Sequence, residues 1–142
     1  MGYALSEPAR DVVFVQGPAS NWVILRRDRE FTLVDGGYPG DLDLVLSSIR
    51  EAGLEPGAAA AVLVTHAHVD HTGAAAYFAK AFGTAVLSSP AELALLRGQG
   101  KAQVSPARVL LRAWQPRVLA WSAHVLGAGG LARVSVPSQY LG

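Results

Sequence analysis

Residues 65–71, with the sequence THAHVDH, hold three of the four histidines in this chain of 142 residues. His66 and His68 are two positions apart, so in an extended segment they project to the same side. A turn after them can bring Asp70 and His71 to the same cleft. Imidazole and carboxylate ligands suit Zn²⁺, with Fe or Mn as alternatives, and the four side chains could serve two adjacent ions. The alternative is a polar surface loop that is rich in histidine by chance.

Two regular elements must position this segment. The apolar run AAAAVLVTH, residues 58–66, predicts a strand that is buried on both faces. The run TGAAAYFAKAFG predicts a helix from Thr72 to Phe82 that ends at Gly83. A sheet rigidly positions the side chains at the carboxyl ends of its strands, which suits a metal-binding site.

The chain before this unit reads as β-structure followed by a helix. Three β-like runs, at residues 11–17, 21–27 and 31–37, predict an antiparallel hairpin or meander. The run GDLDLVLSSIREAG then has apolar residues at helical spacing, with Asp41 as a candidate cap and Gly53 near its end.

The chain after the unit continues the alternation. TAVLSS predicts another buried strand, and SPAELALLRG predicts a helix with Ser89 as N-cap and Glu92 as its capping-box partner. Two helices, at residues 105–114 and 116–127, and a strand at 131–137 complete the pattern, so the fold class is α/β (α+β) with a mixed sheet.

Length and composition favour a single domain, and 51% of the residues are hydrophobic. The chain has no cysteine, which excludes disulfides and thiolate metal sites. We see no signal peptide, and the uncharged stretch from Val118 to Ala132 is too short to span a membrane. We therefore expect a cytoplasmic protein without a membrane partner.

The charges are divided unevenly along the chain. Residues 1–92 carry 6 basic and 11 acidic side chains, and residues 93–142 carry 6 basic and no acidic ones. The basic part could bind nucleic acid or anionic lipid through Arg108, Arg112, Trp114, Arg117 and Trp121. We favour the alternative, in which the arginines are solvated and the two tryptophans pack over the cleft, and expect no nucleic-acid partner.

The motif and its surroundings resemble the metallo-β-lactamase superfamily. Residues 66–71 match its H-x-H-x-D-H signature, NWVIL resembles its second strand, and LVDGG resembles its third. The resemblance covers about residues 10 to 97. It implies a four-layer αββα sandwich.

The resemblance also implies a role for each residue of the motif. His66 and His68 would bind a first zinc, and Asp70 and His71 a second. A zinc-bound hydroxide would be the nucleophile, and Asp70 would orient it and take a proton. Asp35 resembles the family's structural acid near the metal loop, although it could equally be an ordinary Asp-Gly turn residue.

Other ligands of the family site have no clear counterpart. The family adds a third histidine, a bridging aspartate and a last histidine from later segments. After Glu92 this chain has no acidic residue, and His124 is its one later histidine. We expect His124 to be a surface or boundary residue rather than a ligand.

We therefore interpret residues 1–142 as one incomplete domain that lacks the C-terminal half of the fold. Residues 1–97 would form its core, and residues 98–142 a helical segment that covers the cleft. Such a half-sandwich would leave an apolar sheet face open, favour self-association and bind metal weakly.

The leading functional hypothesis is a hydrolase that cleaves an ester, thioester, lactone, lactam or phosphoester bond in a small molecule. The alternative is a truncated or degenerate chain without catalysis, which acts, if at all, as an interaction module.

Overall fold

The computed structural model describes residues 2–98, 114–129 and 134–142. It has six strands, which are β1 (Ala4–Ala9), β2 (Val12–Gln16), β3 (Asn21–Arg27), β4 (Glu30–Val34), β5 (Ala59–Leu63) and β6 (Ala85–Leu87). Its α-helices are α1 (Leu42–Glu51), α2 (Val69–Thr72), α3 (Ala75–Phe82), α4 (Pro90–Leu96) and α5 (Pro116–Gly127). Its 3₁₀ helices are Pro39–Asp41, Pro56–Ala58 and Ser138–Tyr140.

The strands form one mixed sheet in the order β1-β2-β3-β4-β5-β6. Strands β1 to β4 are an antiparallel meander, of which the β-like runs predict β2 to β4 but not β1, and β5 and β6 are each parallel to their preceding neighbour. Helix α1 makes the crossover from β4 to β5, and α2 and α3 make the one from β5 to β6. The carboxyl ends of β4, β5 and β6 therefore all lie on the same side of the sheet, where the strands end.

One face of the sheet carries the core. Its central row runs through β2 to β6 and is fully buried, and it consists of Val13, Ile24, Leu33, Val62 and Val86. Helix α1 covers this face with Val45 and Ile49, and α3 covers it with Phe78. The indole N–H of Trp22 donates a buried hydrogen bond to Ser48 Oγ at 3.0 Å, which ties β3 to α1.

The opposite face is apolar but exposed. One row across it is Phe14, Val23, Val34, Leu63 and Leu87. Leu63 is 38% exposed and Leu87 is 39% exposed. The prediction that β5 and β6 are buried on both faces is therefore wrong, because helices pack on one face only within the described residues.

The predicted helix over Thr72–Phe82 is observed as α3, which begins three residues later at Ala75, whereas Thr72 is the last residue of α2. The backbone N–H groups of Gly73 and Ala74 donate to the carbonyls of Gly37 and Gly36, at 2.8 and 3.2 Å. These bonds to the loop after β4 separate α2 from α3. The predicted end at Gly83 is confirmed, since this residue adopts the left-handed conformation at φ 66°.

Asp41 and Ser89 are the N-cap residues of α1 and α4, as predicted, but neither side chain makes a cap hydrogen bond. Asp41 makes no side-chain cap bond to α1, because its Oδ2 accepts the backbone N–H of Tyr38 at 3.2 Å. Ser89 makes no side-chain cap bond to α4. Its expected partner Glu92 instead accepts a hydrogen bond from the backbone N–H of Ala67, at 2.9 Å.

The C-terminal predictions have mixed outcomes. Helix α5 confirms the prediction for 116–127, whereas residues 105–113 and 131–133 lie outside the described residues. Residues 134–137 form no strand, although Val136 is buried and its N–H donates to the carbonyl of Leu96 at 2.8 Å. Trp114 is 79% exposed and Trp121 is 41% exposed, so the expectation that both pack over a cleft is wrong. Among the described helices, none is long and apolar enough to cross a membrane.

Candidate metal centre

Asp35 joins three parts of the candidate site. It directly follows β4 and adopts a left-handed backbone conformation, φ 62°, which aspartate tolerates better than most residues. Its N–H donates to the carbonyl of Leu63 at the end of β5, at 2.8 Å. Its carboxylate accepts the backbone N–H of Thr65 at 2.9 Å and the Thr65 hydroxyl at 2.8 Å. Asp35 is thus a turn residue whose side chain holds the start of residues 65–71, which we call the metal loop.

His71 lies between two carboxylates. Its Nδ1 is 2.9 Å from Asp35 Oδ2, and its Nε2 is 3.2 Å from Asp70 Oδ2. These two contacts raise the pKa of His71 to about 9, with Asp35 the larger cause and burial opposing both. Burial is the largest single influence on both aspartates and alone would raise their pKa values. The contacts with His71, together with the hydrogen bonds from Thr65 to Asp35 and from the backbone to Asp70, leave both pKa values lowered.

The imidazole of His66 lies between the other two imidazoles of the metal loop. The ring centroid of His66 is 4.6 Å from that of His68 and 3.9 Å from that of His71. His66 Nδ1 is 3.1 Å from the Thr65 hydroxyl oxygen. That hydroxyl has a single proton, and Asp35 accepts it, so the hydroxyl oxygen can accept the Nδ1 proton of His66. In that tautomer, Nε2 of His66 carries no proton and has its lone pair available.

The histidine and aspartate side chains of the metal loop are of the types that bind zinc. His66, His68, Asp70 and His71 supply three imidazoles and one carboxylate, and Asp35 fixes the far nitrogen of His71 as a supporting carboxylate would. Their present arrangement is not a formed site, since no three His, Asp or Glu side chains among the described residues are set to hold one ion. Both nitrogens of His71 face carboxylates, so binding a metal through His71 requires its Nε2 to leave Asp70.

His124 lies at a different contact. It is half-buried on α5, and its Nε2 is 3.6 Å from Asp41 Oδ1. Asp41 is almost fully buried, and next to it the N–H of Gly40 donates to the carbonyl of Ala128 at 2.7 Å. Tyr38 completes this region, and burial with nearby Asp70 and Asp41 raises its pKa to about 12. His124 therefore lies where α5 meets the loop before α1, and the Gly40–Ala128 hydrogen bond joins the two.

The sequence interpretation missed two residues that hold the metal loop in place. These are Thr65, the first residue of the loop, which binds Asp35, and Glu92, which binds the backbone of Ala67. Thr65 precedes the motif directly, and its hydroxyl is the signal that could have identified it. The sequence predicts Glu92 as the capping-box partner of Ser89, because a Ser-x-x-Glu pattern at a helix start is typical of that motif.

A comparison with protein-family models matches residues 15–140 to the metallo-beta-lactamase superfamily, and the chain belongs to that superfamily. The six-stranded mixed sheet with its helices matches the corresponding part of that fold. No curated protein sequence matches the chain.

Solved structures similar to the chain include subclass B3 metallo-beta-lactamases. BJP-1 of Bradyrhizobium japonicum has a TM-score of 0.64 at 22% identity, over 68% of this chain and 37% of that one. SMB-1 in complex with mercaptoacetic acid has a TM-score of 0.58 at 28% identity, over 66% of this chain and 36% of that one. The chain thus corresponds to little more than a third of the length of these enzymes.

Proposed function

We propose that this protein is a zinc-dependent hydrolase, with the metal loop as its binding site for the ion. The observation that carries the proposal is the convergence of three imidazoles at the carboxyl end of β5, with His71 bracketed by Asp35 and Asp70. Membership of the superfamily supports it. A complete site would hold two zinc ions, with iron or manganese as alternative metals.

Each residue of the metal loop has a distinct part in this proposal. His66 and His68 bind one ion, and Asp70 and His71 bind the other. Asp35 acts through His71 and Thr65, since it orients the imidazole ring and fixes the start of the metal loop. With zinc held by these residues, a hydroxide nucleophile would be available near neutral pH and the bond to be cleaved would be polarised. In this proposal Asp70 would orient the attacking group and accept its proton.

The substrate belongs to small molecules with an ester, thioester, lactone, lactam or phosphoester bond. We place the protein in the cytoplasm, and a chain without cysteines is compatible with the reducing conditions there. The alternative function is a non-catalytic interaction module. The apolar open face of the sheet, with Leu63 and Leu87 exposed, is the observation that favours it.

The test is a hydrolysis assay on the zinc-loaded chain with a chromogenic β-lactam, a thioester, a lactone, an aryl ester and an aryl phosphodiester. We expect zinc-dependent turnover of at least one substrate. Asp70→Asn should lower kcat/KM by roughly 100-fold or more, since it removes a general base. His124→Gln is the matched control, because His124 contacts Asp41 and not the metal loop.

The outcomes separate the two functions. Turnover that depends on zinc and on Asp70 supports the hydrolase. Zinc binding without turnover of any of the five substrates favours the non-catalytic module. Turnover that Asp70→Asn leaves unchanged contradicts the roles assigned here.

A further inference from the structure

Glu92 contacts the metal loop from a distant part of the chain. It lies in the first turn of α4, and its Oε2 accepts the backbone N–H of Ala67 at 2.9 Å. Ala67 stands between His66 and His68. The contact therefore reaches the backbone between two candidate ligands, although Glu92 is 25 positions away along the chain.

Two carboxylates hold alternate amides of the metal loop. Asp35 accepts the N–H of Thr65, and Glu92 accepts the N–H of Ala67. Residues 65 and 66 form a bend after β5, and His68 is extended directly before α2. The two hydrogen bonds fix the backbone at positions 65 and 67, on either side of His66 and directly before His68, and so constrain the directions in which these two side chains project.

The helix that carries Glu92 is itself anchored. Leu96 in α4 is fully buried in the core, and its carbonyl accepts the N–H of Val136. Near the start of α4, the Ser88 hydroxyl donates to the carbonyl of Val64 at 3.1 Å, beside the end of β5. Glu92 is half-buried, so its hydrogen bond to Ala67 is partly shielded from water.

We propose that Glu92 is a positioning residue of the metal centre, which fixes the separation of the imidazoles of His66 and His68 through the backbone of Ala67. Glu92 binds neither metal nor substrate in this role. The inference rests on the proposed function in one respect, namely that His66 and His68 bind zinc. A carboxylate suits the task because a charged acceptor binds a backbone N–H more strongly than a neutral one.

The first test needs no metal. Amide hydrogen exchange at Ala67 is measured by NMR in the metal-free chain, for the wild type, Glu92→Gln and Glu92→Ala. We expect exchange at Ala67 to become roughly tenfold faster or more in Glu92→Ala, because a hydrogen bond to a charged acceptor is lost. Glu92→Gln keeps a carbonyl acceptor and should recover most of the protection. Glu55→Ala, at an exposed glutamate before β5, is the control and should leave Ala67 unchanged.

The second test measures zinc affinity of the same variants by competition with a chromogenic chelator. We expect Glu92→Ala to bind zinc about tenfold more weakly than the wild type, with Glu92→Gln between the two. Urea unfolding of each variant separates this effect from general destabilisation, which would leave the affinity of the folded chain unchanged.

Each outcome decides the matter. Unchanged exchange at Ala67 in Glu92→Ala refutes the contact, with or without metal. Faster exchange with wild-type zinc affinity refutes the positioning role. If the wild type binds no zinc, the proposed function fails, and Ala67 exchange alone then decides whether Glu92 holds the metal loop.

Discussion

The replacement of Asp35 by asparagine tests the charge balance of the metal loop. Asparagine tolerates the left-handed backbone of position 35, φ 62°, and its amide oxygen can still accept the Thr65 N–H. The substitution therefore removes the charge next to His71 while it keeps the turn.

The expected magnitude follows from the pKa of His71. This value rises from 6.5 to about 9, which corresponds to about 3 kcal/mol of extra interaction with the protonated ring at about 1.4 kcal/mol per unit. Asp35 is the larger of the two sources. We therefore expect Asp35→Asn to lower the pKa of His71 by at least one unit and to cost about 2 kcal/mol where the ring is protonated.

The pH dependence has a definite sign. The folded pKa lies above the unfolded value, so this stabilisation is fully present below about pH 6.5 and disappears as the pH rises through about 9. In the metal-free protein, the loss of unfolding free energy in Asp35→Asn should be greatest near pH 6 and smaller near pH 10.

The assay is urea unfolding in the presence of a chelator at both pH values, with the pKa of His71 followed by NMR. Asp28→Asn is the matched control, since Asp28 has a similar positive φ of 55° but lies in the exposed turn between β3 and β4. A loss of stability that is equal at the two pH values, with an unshifted His71 pKa, would refute the assigned interaction.

Three further substitutions test the packing around the site. Gly73→Ala would drive a Cβ into the backbone carbonyl of Tyr38, so we expect a loss of about 1–3 kcal/mol in urea unfolding, and wild-type stability would contradict the close approach. Ser48→Ala leaves the buried Trp22 N–H without its acceptor, and calorimetric unfolding should show a loss of about 1–3 kcal/mol. Leu63→Asp places a charge on the open sheet face and should lower the average mass in sedimentation equilibrium at high protein concentration, whereas a wild type that is monomeric throughout would show that this face does not self-associate.

The strands and helices around the metal loop could be predicted because their patterns are local. Alternating and continuous apolar runs identified β2 to β5, and helical spacing identified α1. Strand β1 was missed because its sequence, ALSEPA, has no alternating apolar pattern and contains Pro8. That strand lies at the sheet edge and is mostly exposed, where proline is tolerated.

Long-range contacts account for the predictions that failed. Gly73 lies outside the helices because its N–H donates to the carbonyl of Gly37, 36 positions earlier, rather than to a carbonyl one turn back. Glu92 forms no capping box because its carboxylate accepts the backbone N–H of Ala67 instead. No local propensity encodes either contact, since both depend on how the sheet brings separate segments together.

The metal loop itself was identified from residue types and spacing, and the structure adds how its members are held. Convergence of His66, His68 and His71 agrees with the expectation of a common cleft. The pairing of His71 with Asp70 could not be foreseen from the motif, because residue types and spacing do not fix the side-chain rotamers.

The measurement that tests the central claim most directly is a calorimetric zinc titration of the metal-free chain. We predict that the wild type and His124→Gln bind zinc alike, and that His68→Ala binds it at least about tenfold more weakly, because a ligand is lost. Binding that is unchanged by His68→Ala, or no zinc binding by the wild type, would contradict the claim that residues 65–71 form a metal loop.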